Sequence, residues 1–293
     1  MTSSLAGIIA YPVTPFDADQ RVDTARLHSL VSRLVDDGIH AIAPLGSTGE
    51  SAYLNELEWS AVVDTTVAAV AKRVPVVVGA SDLTTANTIR RAEYAQWAGA
   101  ESVMILPVSY WPLSDREIKA HYRAISDAID IPIMVYNNPA TSGIDMRPEL
   151  LVELFETIDN VTMVKESTGD ITRMNRIKEL TGGALPFFNG SNPLILKALQ
   201  AEAAGWCTAA PCLRPQPCLD LYAAMKAGQV DRAQQIYDSL QPLLEFIVAG
   251  GLPTTVKAGL DLLGAPAGHP RAPLLPLDGP DRATLSHLLN TIK

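Results

Sequence analysis

Cysteine, histidine and basic charge are scarce in this chain, and long apolar runs are missing. Only three cysteines occur among 293 residues (Cys207, Cys212 and Cys218), with no CxxC pair. An odd count without ligand spacing argues against both a disulfide framework and a zinc knuckle. No apolar run approaches the ~18 residues of a membrane helix. The N-terminal Met1-Thr2-Ser3-Ser4-Leu5-Ala6-Gly7 has neither the basic start nor the apolar stretch of a secretion signal. A soluble, cytoplasmic protein with no membrane partner is expected. Basic residues number 23 against 32 acidic ones, and no basic cluster exceeds Lys72-Arg73 or Arg90-Arg91. A nucleic-acid backbone needs a positive face, so a net charge of −9 argues against that partner. Neither a GxGxxG turn nor a Walker Gly-Lys-Ser/Thr loop is present, which removes the usual signs of nucleotide binding.

What is there is apolar and ordered. With 47% apolar and 19% charged residues, the chain can bury a large core, and disorder or a fibrous structure is excluded. Short segments rich in Val and Ile recur at 7–11, 41–45, 74–79, 102–106, 131–136, 161–165, 185–188 and 206–209. Most are continuous apolar runs, as strands buried on both faces should be. Helical patterns lie between them. Leu27, Leu30, Val31, Leu34 and Val35 form one stripe, and Trp59, Val62, Val63, Val67 and Val70 form another. Ser114 with Glu117 and Asn55 with Glu58 read as capping boxes, and Asn192 before Pro193 reads as a helix start. Eight strand–helix units imply parallel pairing and a (β/α)8 TIM barrel, with an open doubly wound sheet as the rival. The barrel is expected over 1–214. Helical patterns near 217–228, 230–249, 253–263 and 281–291, the last after a Pro-rich link, predict a C-terminal helical extension over 215–293.

Barrel chemistry sits at the C-terminal ends of strands. No histidine falls there: residues 28, 40, 121, 269 and 287 lie on helical patterns, in loops or before the second strand. That argues against metal catalysis. One lysine does fall there. Lys165 closes the run Val161-Thr162-Met163-Val164-Lys165, where an apolar surround would bring its pKa from ~10.4 toward ~7 and free the amine to attack a carbonyl. The alternative is a structural lysine neutralised by Glu166. The other lysines, Lys293 at the tail included, read as solvated. Tyr136 ends the preceding strand and could relay protons beside that amine. The turn Gly46-Ser47-Thr48-Gly49-Glu50 offers N–H groups and hydroxyls to a carboxylate, or is simply a tight turn.

These elements, with Tyr136-Asn137-Asn138-Pro139 and Lys165-Glu166-Ser167-Thr168-Gly169-Asp170, resemble the family of dihydrodipicolinate synthase and N-acetylneuraminate lyase over nearly the whole chain. The resemblance implies a Schiff-base lyase that needs no metal or organic cofactor. Lys165 would condense with a 2-oxo acid such as pyruvate, Ser47 and Thr48 would hold its carboxylate, and Tyr136 would move protons. Thr48 and Tyr110 would complete the relay, Tyr110 reaching in from a neighbouring subunit of a homodimer or homotetramer. The segment Pro107-Val108-Ser109-Tyr110-Trp111 departs from the family's usual Tyr-Tyr pair. Asn138, Thr141, Ser167, Asn189, Gly190 and Thr208 are expected to line the pocket.

Two departures bear on substrate. Thr141 stands where the synthase carries an arginine, which removes a bidentate, charge-assisted grip. The stretch Gly190-Ser191-Asn192-Pro193 lacks the acidic residues of sialic-acid lyases. Aldol cleavage or condensation around pyruvate is the leading expectation. The alternatives are a hydro-lyase or deaminase acting on a 2-keto-3-deoxy acid or hydroxy-pyrroline-carboxylate, a non-catalytic keto-acid-binding protein, and a metal-dependent barrel enzyme.

Overall fold

All eight apolar segments become strands in the computed structural model, which describes residues 5–292. Residues 1–4, part of the stretch read for a secretion signal, and Lys293 lie outside the described residues. The strands are β1 (Gly7–Ala10), β2 (Ala41–Ile42), β3 (Val77–Gly79), β4 (Ser102–Ile105), β5 (Ile133–Asn137), β6 (Val161–Glu166), β7 (Phe187–Asn189) and β8 (Gly205–Thr208). They form one sheet in the order β2-β1-β8-β7-β6-β5-β4-β3. The pairings are parallel, and a parallel bridge joins Ile42 to Val76, just ahead of β3. This is a (β/α)8 barrel with additional C-terminal helices. Nearly every strand residue is buried, which explains why the strands read as continuous apolar runs rather than alternating ones.

The helices that follow the strands are α1 (Thr24–Asp36), α2 (Glu56–Val70), α3 (Thr85–Ala98), α4 (Asp115–Ser126), α5 (Pro139–Ser142), α6 (Pro148–Thr157), α7 (Ile171–Thr181) and α8 (Ile195–Gln200). After β8 come α9 (Pro215–Lys226), α10 (Val230–Ala249), α11 (Leu252–Leu262) and α12 (Gly279–Thr291). Two compact units result: Met1–Val76 with Thr208–Lys293, and Val77–Cys207.

In the first unit, α1 buries the stripe Leu27, Leu30, Val31, Leu34 and Val35, and Asp23 caps it by accepting from the N–H of Arg26. The Asn55–Glu58 capping box opens α2 as its sequence indicates. Within α10, Leu240, Leu243, Leu244 and Ile247 are fully buried, each worth about 1.5–3 kcal/mol of apolar burial. This unit also holds α9, α11 and α12.

The second unit carries β3 to β7 with α3 to α8. The Ser114–Glu117 capping box starts α4. One helix start differs from expectation. Asn192 is not the N-cap. It is the first residue of a 3-10 turn, Asn192–Leu194, whose N-cap position is Ser191. Its side chain instead points inward and accepts the indole N–H of Trp206 at 3.3 Å, because a buried Trp needs a partner more than a short turn needs a cap. No helix of the described residues is long and apolar enough to cross a membrane.

Candidate active site

β5 and β6 pair with Tyr136 opposite Lys165 and Asn137 opposite Glu166. Side chains alternate along a strand, so the first pair faces one side of the sheet and the second pair faces the other. Lys165 is 5% exposed, and its Nζ lies 3.9 Å from the centroid of the Tyr136 ring. The Met104 sulfur of β4 is also 3.9 Å from that nitrogen. The amine therefore rests on a phenol face and a thioether, both soft and weakly polar surfaces.

Glu166 is engaged elsewhere. Its carboxylate, fully buried, accepts the Asn137 amide at 3.0 Å and the Thr168 N–H at 2.8 Å, with Arg173 Nε 3.4 Å away. Arg173 also pairs with Asp145 at 2.8 Å and donates to the Met146 carbonyl at 2.5 Å. Asn137 completes this network by accepting the Met146 N–H at 3.0 Å. The arrangement in which Glu166 neutralises Lys165 is therefore not the one found; adjacent strand residues face opposite ways.

On the lysine's side, the Asn138 amide donates to both Tyr136 Oη and Thr141 Oγ1 at 2.8 Å. A phenol oxygen that accepts from Asn138 keeps its own proton for another acceptor. Thr141 is exposed on α5. Ser167 Oγ is buried and has no partner among the described residues. It lies against Gly190: a Cβ added there would fall 1.8 Å from Ser167 Oγ and 2.9 Å from Lys165 Cε. Gly190 thus leaves the space that the lysine and serine side chains occupy.

Asn189 sits in register with Glu166 rather than with Lys165, and its amide donates to the Ser191 carbonyl at 2.8 Å. Tyr110, in the loop after β4, is 96% exposed. Behind the strand ends, the fully buried Tyr122 of α4 donates to the Ile105 carbonyl at 2.7 Å. Burial pushes its phenol pKa upward, keeping the donor protonated. Neither Tyr122 nor Arg173 carries a local sequence signal. Asn137 does, lying inside the Tyr-Asn-Asn-Pro segment.

The turn that holds Ser47 and Thr48 belongs to the first unit. Leu45 and Glu50, at its two ends, take left-handed backbone angles of φ 63° and 56°. The turn closes through Gly49 N–H to Gly46 O at 3.0 Å and Glu50 N–H to Ser47 O at 3.2 Å. A Cβ on Gly49 would sit 3.0 Å from the Leu45 nitrogen, so a side chain there would press on the turn's backbone. Thr14 Oγ1 donates to the Gly49 carbonyl at 2.7 Å, and Thr48 is buried. Among the described residues, the N–H groups of Ser47 and Thr48 meet no protein acceptor, which leaves two donors available to an anion. Thr208, in the same unit, is buried, and its hydroxyl accepts the Ala210 N–H at 3.0 Å. No three His, Cys, Asp or Glu side chains among the described residues gather as metal ligands would.

The model of the dihydrodipicolinate synthetase family matches residues 4–292. The chain belongs to the dihydrodipicolinate synthetase family. One relative, the 4-hydroxy-tetrahydrodipicolinate synthase of Methylobacterium radiotolerans, is 33% identical over 287 residues, covering 98% of this chain and 95% of the relative. A solved structure from Pseudomonas aeruginosa, provisionally named a dihydrodipicolinate synthetase, superposes with a TM-score of 0.98 at 52% identity, over 99% of this chain and 100% of that one. The chloride-inhibited dihydrodipicolinate synthase of Acinetobacter baumannii, solved with pyruvate, gives a TM-score of 0.94 at 25% identity, covering 99% of each chain. Family membership thus spans the barrel and the C-terminal helices alike.

Proposed function

We propose that this family member is a class I lyase in which Lys165 forms a Schiff base with a 2-oxo acid, pyruvate being the simplest. The observation that carries the reading is the buried Lys165 amine resting on the Tyr136 ring while the carboxylate next to it along the strand, Glu166, is bound on the opposite face. A pyruvate complex of a family relative supports the substrate class.

The Lys165 amine attacks the ketone carbon, and the resulting carbinolamine takes up a proton at its hydroxyl and loses it as water to give a protonated imine. That imine draws electrons from the adjacent carbon, which releases a proton and becomes an enamine able to form or break a C–C bond. Tyr136 moves the protons in these steps, its hydroxyl oriented by Asn138. Ser47 and Thr48 grip the substrate carboxylate through the two open N–H groups of their turn and the hydroxyls beside them. Ser167 and Thr141 give neutral hydrogen bonds to the second substrate, Gly190 lets the Lys165 and Ser167 side chains take their places beside it, and no guanidinium is available at position 141. That favours small hydroxylated partners over a carboxylate-gripped one. Asn189 and Thr208 shape the strand ends through their local hydrogen bonds. Tyr110, so exposed in a single chain, acts from a neighbouring copy in a homodimer or homotetramer.

The test is reduction by borohydride in the presence of pyruvate, followed by peptide mapping. A pyruvyl adduct on Lys165, lost together with turnover in Lys165→Ala, is expected. Turnover retained by that variant, or an adduct confined to another lysine, would overturn the reading.

A further inference from the structure

Glu50 closes the turn that carries Ser47 and Thr48, yet its carboxylate points away from solvent altogether. One oxygen lies 2.6 Å from Lys257 Nζ of α11, and the pair is 0% and 1% exposed. The other oxygen accepts the Arg271 N–H at 2.7 Å. Lys257 also donates to the His269 carbonyl at 3.1 Å, and its Nζ lies 3.9 Å from the centroid of the Phe16 ring. The Arg271 guanidinium lies 4.3 Å from the same centroid and grips Glu58 with two bonds of 2.7 Å. Burial lowers the Lys257 amine to about 8, against the opposing pull of Glu50. All of these groups belong to the first unit.

Such a pair is a poor device for stability alone. The desolvation of two buried charges offsets most of their attraction, and apolar replacements are often neutral or better. Its geometry is what distinguishes it. Glu50 occupies a left-handed backbone conformation at the end of the turn, its N–H bonded to Ser47 and its carbonyl accepting from Tyr53 at 2.9 Å. A carboxylate hydrogen-bonded at one oxygen and ion-paired at the other holds that conformation, and with it the direction of the preceding N–H groups.

We infer that Lys257 is a positioning residue: with the Arg271 backbone it clamps Glu50, so that the C-terminal helices set the shape of the carboxylate-binding turn. The inference rests on the proposed role of Ser47 and Thr48 in holding a 2-oxo acid.

Removing one partner leaves a buried unpaired charge, so Glu50→Gln or Lys257→Met alone is expected to fold poorly. The double variant Glu50→Gln with Lys257→Met removes both charges and keeps the volume. Borohydride trapping of Lys165 is measured across a pyruvate series in the parent and the double variant, alongside thermal melting. The expected result is a folded double variant whose half-saturating pyruvate concentration rises tenfold or more, with the trapping rate at saturation within threefold of the parent. Restoring the pair restores the parent value. A folded double variant with an unchanged half-saturating concentration overturns the inference alone, whatever its melting temperature. Failure of the double variant to fold overturns it too, because the pair would then be chiefly structural. A parent that forms no Lys165 adduct overturns the Schiff-base reading first, and this inference with it.

Discussion

Tyr136 and Lys165 are register partners on adjacent parallel strands, and the lysine nitrogen rests 3.9 Å from the centroid of the phenol ring. The ring is thus a platform as well as a source of a hydroxyl. Tyr136→Phe separates the two roles, since it keeps the platform and deletes the oxygen that Asn138 orients. Adduct formation on Lys165 should slow by about 10² to 10⁴, the range for losing an acid–base group. Quenched-flow trapping at saturating pyruvate measures it; an unchanged rate would remove Tyr136 from the proton relay.

Gly190 should not tolerate a side chain. In Gly190→Ala the new methyl would meet Ser167 Oγ at 1.8 Å and Lys165 Cε at 2.9 Å. Overpacking of this kind costs about 1–3 kcal/mol. A lower melting temperature and at least a tenfold loss of trapping are expected, because the lysine must shift. Adding Ser167→Gly should recover part of both, which calorimetry and the trapping assay would report together.

Ser167→Ala is expected to separate stability from function. The buried hydroxyl has no partner among the described residues, so deleting it removes a desolvated group worth about 1–3 kcal/mol when unsatisfied. Denaturant midpoints should stay level or rise while turnover of the second substrate weakens. A clear drop in stability would mean the hydroxyl is satisfied in the folded protein.

Two partly desolvated histidines predict acid sensitivity. Burial lowers the pKa of both His40 and His121 below 6.5. His40 Nδ1 accepts the Ile8 N–H at 3.1 Å, and His121 Nδ1 lies 2.9 Å from Thr85 Oγ1. Because the unfolded chain binds these protons more readily, their contribution to stability is complete above pH 6.5 and is lost as pH falls through the lowered folded values. Melting temperature measured from pH 7.5 downward should fall once pH passes below 6.5, and the combined His40→Gln and His121→Gln variant should flatten that slope. An equally steep slope in the variant would assign the loss to carboxylates.

The strand segments, the α1 stripe and the two capping boxes were legible because each depends on neighbours a few residues away. Lys165 and Tyr136 were legible for a related reason, since a strand end is recognisable from its own apolar run. The direction of Glu166 was available too: a residue next to Lys165 on a strand must face the other way. Asn192 misled because its pattern suited a cap, while the indole it serves lies on β8.

The sequence by itself determined the repeating strand and helix units, their parallel pairing and the place of Lys165 at a strand end, all products of local periodicity and apolar burial. Only the tertiary structure decided that Tyr122 bonds the Ile105 carbonyl, that Arg173 completes the Glu166 network, and that Lys257 meets Glu50. These partners come from separate elements, and a polar group's choice of partner is settled by which atoms the packed core leaves within bonding distance.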